Sequence, residues 1–131
     1  MIKLTLKTER RAQLLDITGR VADAVARSGV QDGFCVVHVP HTTAGVFVNE
    51  SADPDLRKDI LQFLERQIPQ DWGFRHSEGN ADSHLKAMIT GHAATLIVAE
   101  GKPALGTWQA VWFAEYDGPR SREIWIQVSR A

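Results

Sequence analysis

The chain has 131 residues, which suits one domain, and we predict a single domain over residues 1–131. Hydrophobic residues make up 44% and charged residues 24%, an ordinary balance that excludes a disordered chain or a coiled coil. Lys and Arg number 15 against 16 Asp and Glu, so no basic field favours a nucleic-acid partner. One cysteine excludes a disulfide framework, and no apolar run approaches the roughly 20 residues of a membrane span. We therefore expect a cytoplasmic protein without a membrane partner.

Strand patterns begin at the first residues. Alternating apolar and polar residues predict a strand over Ile2–Thr8, and a shorter strand is predicted over Leu14–Thr18. Thr18 is expected to cap a helix that ends at Gly29, where a left-handed residue would stop it. Two β-rich runs then flank a tight connection: Phe34–Val39 and Val46–Val48.

The middle of the chain predicts two more helices. Asp53 and Pro54 begin the first, Pro69 ends it, and its buried stripe is Leu56, Ile60, Phe63 and Leu64. Asp82 is expected to cap the second, a short helix that ends at Gly91 and turns Leu85, Met88 and Ile89 inward. The remaining predicted strands are Ala94–Ala99, Thr107–Tyr116 and Glu123–Ser129.

The order of these elements predicts the fold class. Strands run together with interspersed helices and no regular βαβ alternation, which favours an α+β fold with three helices. The sheet should then be mixed and mostly antiparallel. Short hairpins between chain neighbours would let such a sheet curl into a barrel.

Polar residues cluster at the end of the strand predicted over Thr107–Tyr116. Glu115 lies on a semi-apolar face, so it either points to solvent or sits in a pocket with partners, because burying an unpaired carboxylate is unfavourable. The following turn holds Arg120 and Arg122 close together, and two guanidinium groups so placed suit phosphate or carboxylate recognition. The alternative is that both arginines pair with nearby carboxylates on the surface, where such pairs contribute little.

The five histidines supply further candidates. His41 lies in the connection between two strands, and loops often carry functional sites. His84 falls in the first turn of the third predicted helix, where the helix dipole disfavours a positive imidazole. A neutral imidazole can act as a base or as a metal ligand. His76 lies eight residues earlier, a spacing that matches no compact zinc motif, so solvated surface histidines remain the alternative. His38 alternates with apolar residues and is expected in the core or an interface.

Several of these segments resemble the YjbQ-like family, whose members are described as secondary thiamine-phosphate synthase enzymes. The resemblance runs in order along nearly the whole chain, through the segments His41-Thr-Thr-Ala-Gly45, Asn49-Glu50, His76-x3-Asn80-x3-His84, Leu105-Gly-Thr-Trp-Gln109 and Glu115-Tyr-Asp-Gly-Pro-Arg-Ser-Arg122. It implies an α+β fold containing a closed mixed barrel, assembled as a homotrimer. His92 departs from the family pattern, so the resemblance gives it no role.

The resemblance also implies a set of site residues. His41, His84 and Glu115 would be catalytic. Contacts to the substrate or its anionic group would come from Asn49, Asn80, Thr107, Gln109, Arg120 and Arg122. A divalent metal ion (Zn, Mn or Mg) would be held by His41, His76 and His84, and a histidine-rich set favours zinc or manganese over magnesium.

The leading hypothesis is a small enzyme that acts on a phosphorylated or anionic metabolite, with weak thiamine-phosphate synthase activity that releases pyrophosphate. Two alternatives use the same residues. One is a trimeric module that binds a metal or ligand without turnover. The other is a metal-dependent hydrolase in which bound water is the nucleophile.

Overall fold

The computed structural model describes residues 1–131 and contains eight strands and three helices. The helices are α1 (Thr18–Ser28), α2 (Pro54–Gln67) and α3 (Ala81–Thr90). The strands are β1 (Ile2–Lys7), β2 (Gln13–Asp16), β3 (Gly33–His38), β4 (Ala44–Glu50), β5 (Ala93–Ala99), β6 (Lys102–Pro103), β7 (Gln109–Glu115) and β8 (Ser121–Arg130). The α+β class and the three helices are confirmed, and β6 is a short strand that the sequence pattern did not predict.

The strands form two sheets. The larger has the order β1-β8-β3-β5-β6 and the smaller has the order β2-β7-β4, and every strand pair is antiparallel. The prediction of a mostly antiparallel sheet is confirmed, whereas the predictions of some parallel pairing and of a closed barrel are wrong. The curled sheets form a half-barrel because no backbone ladder joins the edge strands of the larger sheet to those of the smaller one.

Two hydrophobic clusters hold the layers together. The larger cluster has 17 buried residues and fills the space between the two sheets and α1. The smaller cluster has seven and lies on the other side of the small sheet, against α2 and α3. Strand β7 is therefore buried on both faces, with Phe113 in the larger cluster and Trp112 in the smaller one. Its end, Glu115, has no contact with solvent, so it follows the pocket alternative rather than the exposed one.

Helix α3 buries the face opposite to the predicted one. Met88 and Ile89 are 76% and 67% exposed, whereas the residues that turn inward are Asp82, Ser83, Lys86 and Ala87. The N-cap is Asn80 rather than Asp82, and it makes no side-chain capping bond. A charged face can pack inward here because its charges find partners of opposite sign, which a pattern of apolar residues does not reveal.

Those partners form a buried charge network around Asp82. The Asp82 carboxylate accepts hydrogen bonds from Arg11 Nη2 at 3.0 Å and from Lys86 Nζ at 2.8 Å, and Lys86 also contacts Glu65 at 2.8 Å. Burial alone would raise the pKa of Asp82, but the hydrogen bonds and charges of Arg11 and Lys86 outweigh it and hold that pKa below its usual range. The network ties α3 to α2 and to the connection after β1, which places the N-terminus of α3 in the site described below.

The other two helices begin close to their predicted positions. Asp53 caps α2 through a 2.9 Å hydrogen bond from the Asp55 amide, as predicted, but Phe63 of the predicted stripe is exposed. Thr18 is the first residue of α1 rather than its cap, which is Ile17, and Asp16 accepts hydrogen bonds from the amide and the hydroxyl of Thr18. None of the three helices has the length and apolar character needed to cross a membrane.

Candidate functional site

A polar cavity of about 340 Å³ lies where three segments of the chain meet. The connection between β3 and β4 contributes one wall, the start of α3 a second, and the turn before β8 a third. Its lining residues are Pro40, His41, Thr42, Thr43, Glu78, Asn80, His84, Asp117, Arg120 and Arg122. The structure thus brings together five of the predicted site residues, from the middle of the chain and from near its end: His41, Asn80, His84, Arg120 and Arg122.

Arg122 forms the back of this cavity through an ion pair with Glu115. Nε donates to Glu115 Oε1 at 2.9 Å and Nη2 contacts Oε2, while the two side chains are 3% and 0% exposed. Nη2 also donates to the hydroxyl of Thr43 at 2.8 Å. These bonds use Nε and Nη2, which leaves Nη1 without a protein acceptor at the cavity wall. Glu115 itself does not line the cavity, so it can reach a ligand only through Arg122.

The turn that carries Asp117 and Arg120 packs tightly against this ion pair. A Cβ atom at Gly118 would come within 2.8 Å of both Glu115 Cγ and Thr8 Oγ1, so glycine is required for this close approach. Thr8 Oγ1 also donates to Glu115 Oε1 at 2.8 Å. The turn is therefore held against the buried carboxylate, and it presents its polar side chains to the cavity.

Asn80 is the most informative residue of the cavity. Its Nδ2 donates to Asp117 Oδ2 at 2.7 Å, and Arg120 Nη2 donates to the same oxygen at 2.9 Å. Its Oδ1 is buried and is the only buried side-chain polar atom of the molecule without a hydrogen-bond partner. Turning the amide around would place Oδ1 against the Asp117 carboxylate, so the orientation is determined by the neighbouring groups.

His41 is held as a neutral imidazole. Its Nε2 accepts the backbone N–H of Glu123 at 2.9 Å, so in the neutral ring the proton lies on Nδ1. Burial, followed by the positive charge of Arg122, lowers the pKa of His41 below its usual value. His41 is consequently a hydrogen-bond donor through Nδ1 at neutral pH.

His84 and His76 are neighbours at the other side of the cavity. Their ring centroids are 5.2 Å apart in an edge-to-face arrangement, and His76 Nε2 lies 3.8 Å from a carboxylate oxygen of Glu78. No group of three or more His, Cys, Asp or Glu side chains in the molecule is arranged to hold a metal ion. Because Nε2 of His41 is also occupied, the residues do not fit the predicted centre of three histidines.

Three predicted site residues lie elsewhere. Asn49 lies at the end of β4, lines a separate apolar groove beside α2, and accepts the Glu50 amide. Thr107 and Gln109 are exposed, and Gln109 begins β7 whereas Glu115 ends it. Six residues of extended strand separate those ends by about 20 Å. Within one chain, these three residues are therefore outside the polar cavity.

Several residues that support the cavity were not predicted as site residues. Thr43 accepts from Arg122, and Asp117 joins Asn80 to Arg120. Thr43 lies in the motif that begins at His41, and Asp117 lies in the motif that contains Arg120, so the sequence indicated both positions. Thr8 donates a hydrogen bond to Glu115, which lies 107 positions away along the chain, and no local sequence pattern predicts such a contact.

Comparisons with known proteins agree with the fold and identify the family. The family model described as UPF0047 protein YjbQ-like matches residues 2–131. A UPF0047 protein of Methanocaldococcus jannaschii is 48% identical over 98% of this chain and 93% of its own, and YugU of Bacillus subtilis is 40% identical over 95% and 96%. The crystal structure of an uncharacterized YjbQ/UPF0047 protein from Clostridium acetobutylicum superposes with a TM-score of 0.97 at 45% identity, covering 98% of this chain and 100% of that one. The family predicted from the motifs is thus confirmed, and the chain belongs to the UPF0047, YjbQ-like family.

Proposed function

We propose that the polar cavity binds a small phosphorylated or otherwise anionic metabolite, and that the chain is an enzyme acting on it. The observation that carries this proposal is that two side chains lining one cavity, Arg122 and His41, each keep a donor without a protein acceptor, Nη1 and Nδ1. Asn80 lines the same cavity and has a buried, unpartnered Oδ1. Leaving a buried acceptor unsatisfied is unfavourable by about 1–3 kcal/mol. A ligand that donates a hydrogen bond to this atom, such as a hydroxyl, an amine or a protonated phosphate oxygen, would remove that cost.

The charges around the cavity restrict the ligand further. Arg120 and Arg122 line it together with Glu78 and Asp117, so positive and negative charges balance at the wall. Both arginines are already paired with carboxylates. The donors that remain for an anion are Arg122 Nη1 and His41 Nδ1. Such a cavity suits one phosphate group better than a group with several negative charges and no accompanying cation.

The two histidines of the cavity take different roles in this proposal. His41 donates a hydrogen bond from Nδ1, because its Nε2 is held by the Glu123 amide. The side chain of His84 makes no hydrogen bond within the protein, so both of its ring nitrogens are available to accept or deliver a proton. Glu115 acts as a positioning residue that holds Arg122 in place.

Thiamine-phosphate synthesis is the specific reaction that the family resemblance supports. In that reaction a thiazole phosphate displaces pyrophosphate from a pyrimidine pyrophosphate, so the site must hold two phosphorylated groups. The donors at Arg122 and His41 favour it, whereas the balanced charge of the cavity is a reason to expect the activity to be weak. Because the three histidines do not fit a metal centre, no step of this proposal is assigned to a metal ion, and elemental analysis of the purified protein tests the prediction of a bound divalent ion (Zn, Mn or Mg).

The experiment is a product assay with matched variants. The protein is incubated with the pyrimidine pyrophosphate and the thiazole phosphate, with and without each divalent ion, and thiamine phosphate, pyrophosphate and orthophosphate are measured. We expect His84→Gln to lower the rate at least about 100-fold, the usual effect of losing an acid–base group. Ile89→Ala, an exposed change on the same helix, should leave the rate unchanged.

Each other outcome contradicts part of the proposal. Orthophosphate without thiamine phosphate would identify the hydrolase alternative. Tight binding of a phosphorylated ligand without any product would identify a non-catalytic module. Full activity of His84→Gln would show that the reacting residues lie elsewhere.

We also propose that the chain assembles as a homotrimer. Exposed apolar side chains lie in two places. Phe34 and Ile97 are paired on the larger sheet, and Trp108 lies just before the first residue of β7. A cyclic trimer joins two different surfaces of neighbouring copies, which would cover both. Light scattering should give three times the chain mass, and Ile97→Lys or Trp108→Lys should reduce it. The monomer mass at every concentration would refute the trimer.

A further inference from the structure

A second cavity, of about 530 Å³, adjoins the polar cavity. The two share Pro40, His41, Thr42 and His84, so His41 and His84 stand at the boundary between them. The second cavity, named here the histidine cavity, extends along the end of β3, the last turns of α3 and the turn before β5. Both volumes fall within the usual range of small-molecule sites.

The histidine cavity differs chemically from its neighbour. Four charged side chains line the polar cavity, whereas no Asp, Glu, Lys or Arg lines the histidine cavity. His38 and His92, which the polar cavity does not use, lie there with ring centroids 5.4 Å apart in an edge-to-face arrangement. Ala87 and Met88 supply apolar surface on α3. Such walls suit a neutral apolar or aromatic group and disfavour a second anion.

The wall of this cavity is built by close backbone contacts. The amide of Val39 donates to the carbonyl of His92 at 2.8 Å, and the amide of Val46 donates to the carbonyl of Gly91 at 3.0 Å. A Cβ atom at Gly45 would lie 2.8 Å from the hydroxyl oxygen of Thr90, so the approach of β4 to the end of α3 requires glycine. The wall is therefore formed before any ligand arrives, which lowers the entropy that binding would lose.

We infer that the ligand of this protein has two parts and occupies both cavities. Its anionic group lies in the polar cavity, its apolar or aromatic group lies in the histidine cavity, and the bond between them passes His41 and His84. His38 and His92 are then specificity-determining residues. This inference rests on the proposed function, because it takes the polar cavity as the anion site, and it adds the chemical class of the remaining part of the ligand.

The test compares two phosphate monoesters that differ only in their apolar part. Binding of methyl phosphate and of phenyl phosphate is measured by titration calorimetry on the wild-type chain. We expect phenyl phosphate to bind about tenfold more tightly, since its ring leaves water for an apolar wall. His38→Ala with His92→Ala should reduce this preference to about twofold or less. Met88→Ala should also lower the preference. Because Met88 is exposed, this variant should fold, and it keeps the inference testable even if the double variant does not fold. Phe63→Ala, which changes an exposed residue outside both cavities, should preserve it.

The outcomes separate this inference from the proposed function. If methyl phosphate binds and phenyl phosphate binds no better, the histidine cavity takes no part of the ligand while the proposed anion site stands. If the preference survives both the His38/His92 and the Met88 changes, the ring lies elsewhere and the inference is wrong. If neither ester binds, the anion site fails and the inference fails with it.

Discussion

Replacing Arg122 by methionine would test how the candidate site is held together. The substitution removes two hydrogen bonds between charged groups, Nε to Glu115 Oε1 and Nη2 to Oε2, and leaves the carboxylate in a position with no solvent exposure. Hydrogen bonds to charged groups contribute about 1.5–3 kcal/mol each, which gives a loss of about 3–6 kcal/mol. Breaking a buried ion pair is typically unfavourable by a similar amount, about 3–5 kcal/mol.

The assay is urea unfolding followed by the fluorescence of the four tryptophans. Arg120→Met is the matched control, because Arg120 is 49% exposed and its pair with Asp117 should contribute less than about 1 kcal/mol. A double variant, Arg122→Met with Glu115→Leu, should recover much of the loss, because it leaves no buried charge unpaired.

Two results would refute this reasoning. A loss below about 1 kcal/mol for Arg122→Met would mean that Glu115 is hydrated or protonated rather than paired. No recovery in the double variant would mean that the loss reflects packing and not the unpaired carboxylate. Either result would remove the basis for treating Glu115 as the residue that positions Arg122.

Three further predictions follow from ionisable groups. Tyr116 is the only tyrosine, and burial raises its pKa to about 12, so ultraviolet titration of the folded protein should show no phenolate near pH 10. Because only the unfolded state ionises between pH 10 and 12, stability should fall there by about 3 kcal/mol, and ionisation near pH 10 in the folded state would contradict this. NMR titration should give His41 a pKa below its ordinary 6.5. Because the unfolded state then binds the proton more readily than the folded state, stability should fall as the pH drops below 6.5. A pKa above 6.5 would disprove the assignment of a neutral imidazole. Asp82→Asn should lower the free energy of unfolding by about 3 kcal/mol at pH 7. The difference should vanish as the pH falls through the depressed pKa of Asp82, and a difference that persists in acid would point to packing instead.

The local pattern predicted most elements well. Seven of the eight strands overlap their predicted ranges, and the Asp53-Pro54 start of α2 is confirmed by the Asp53 capping bond. These features depend on neighbours a few residues apart, so the chain carries their signal locally. The orientation of α3 could not be predicted in this way, because its buried face is charged and is satisfied by Arg11 and Glu65 from distant segments.

The amino-acid sequence by itself determined the class of fold, the family and the motifs that supply most of the polar cavity. Only the tertiary structure decided which motif residues meet, since His41, Asn80 and Arg122 converge while Gln109 lies at the far end of its strand. It also decided that Glu115 is buried behind Arg122 and that Asn80 carries an unpartnered oxygen. The physical reason is that hydrogen bonding and burial depend on contacts between segments far apart along the chain, whereas motif spacing records only what lies close together.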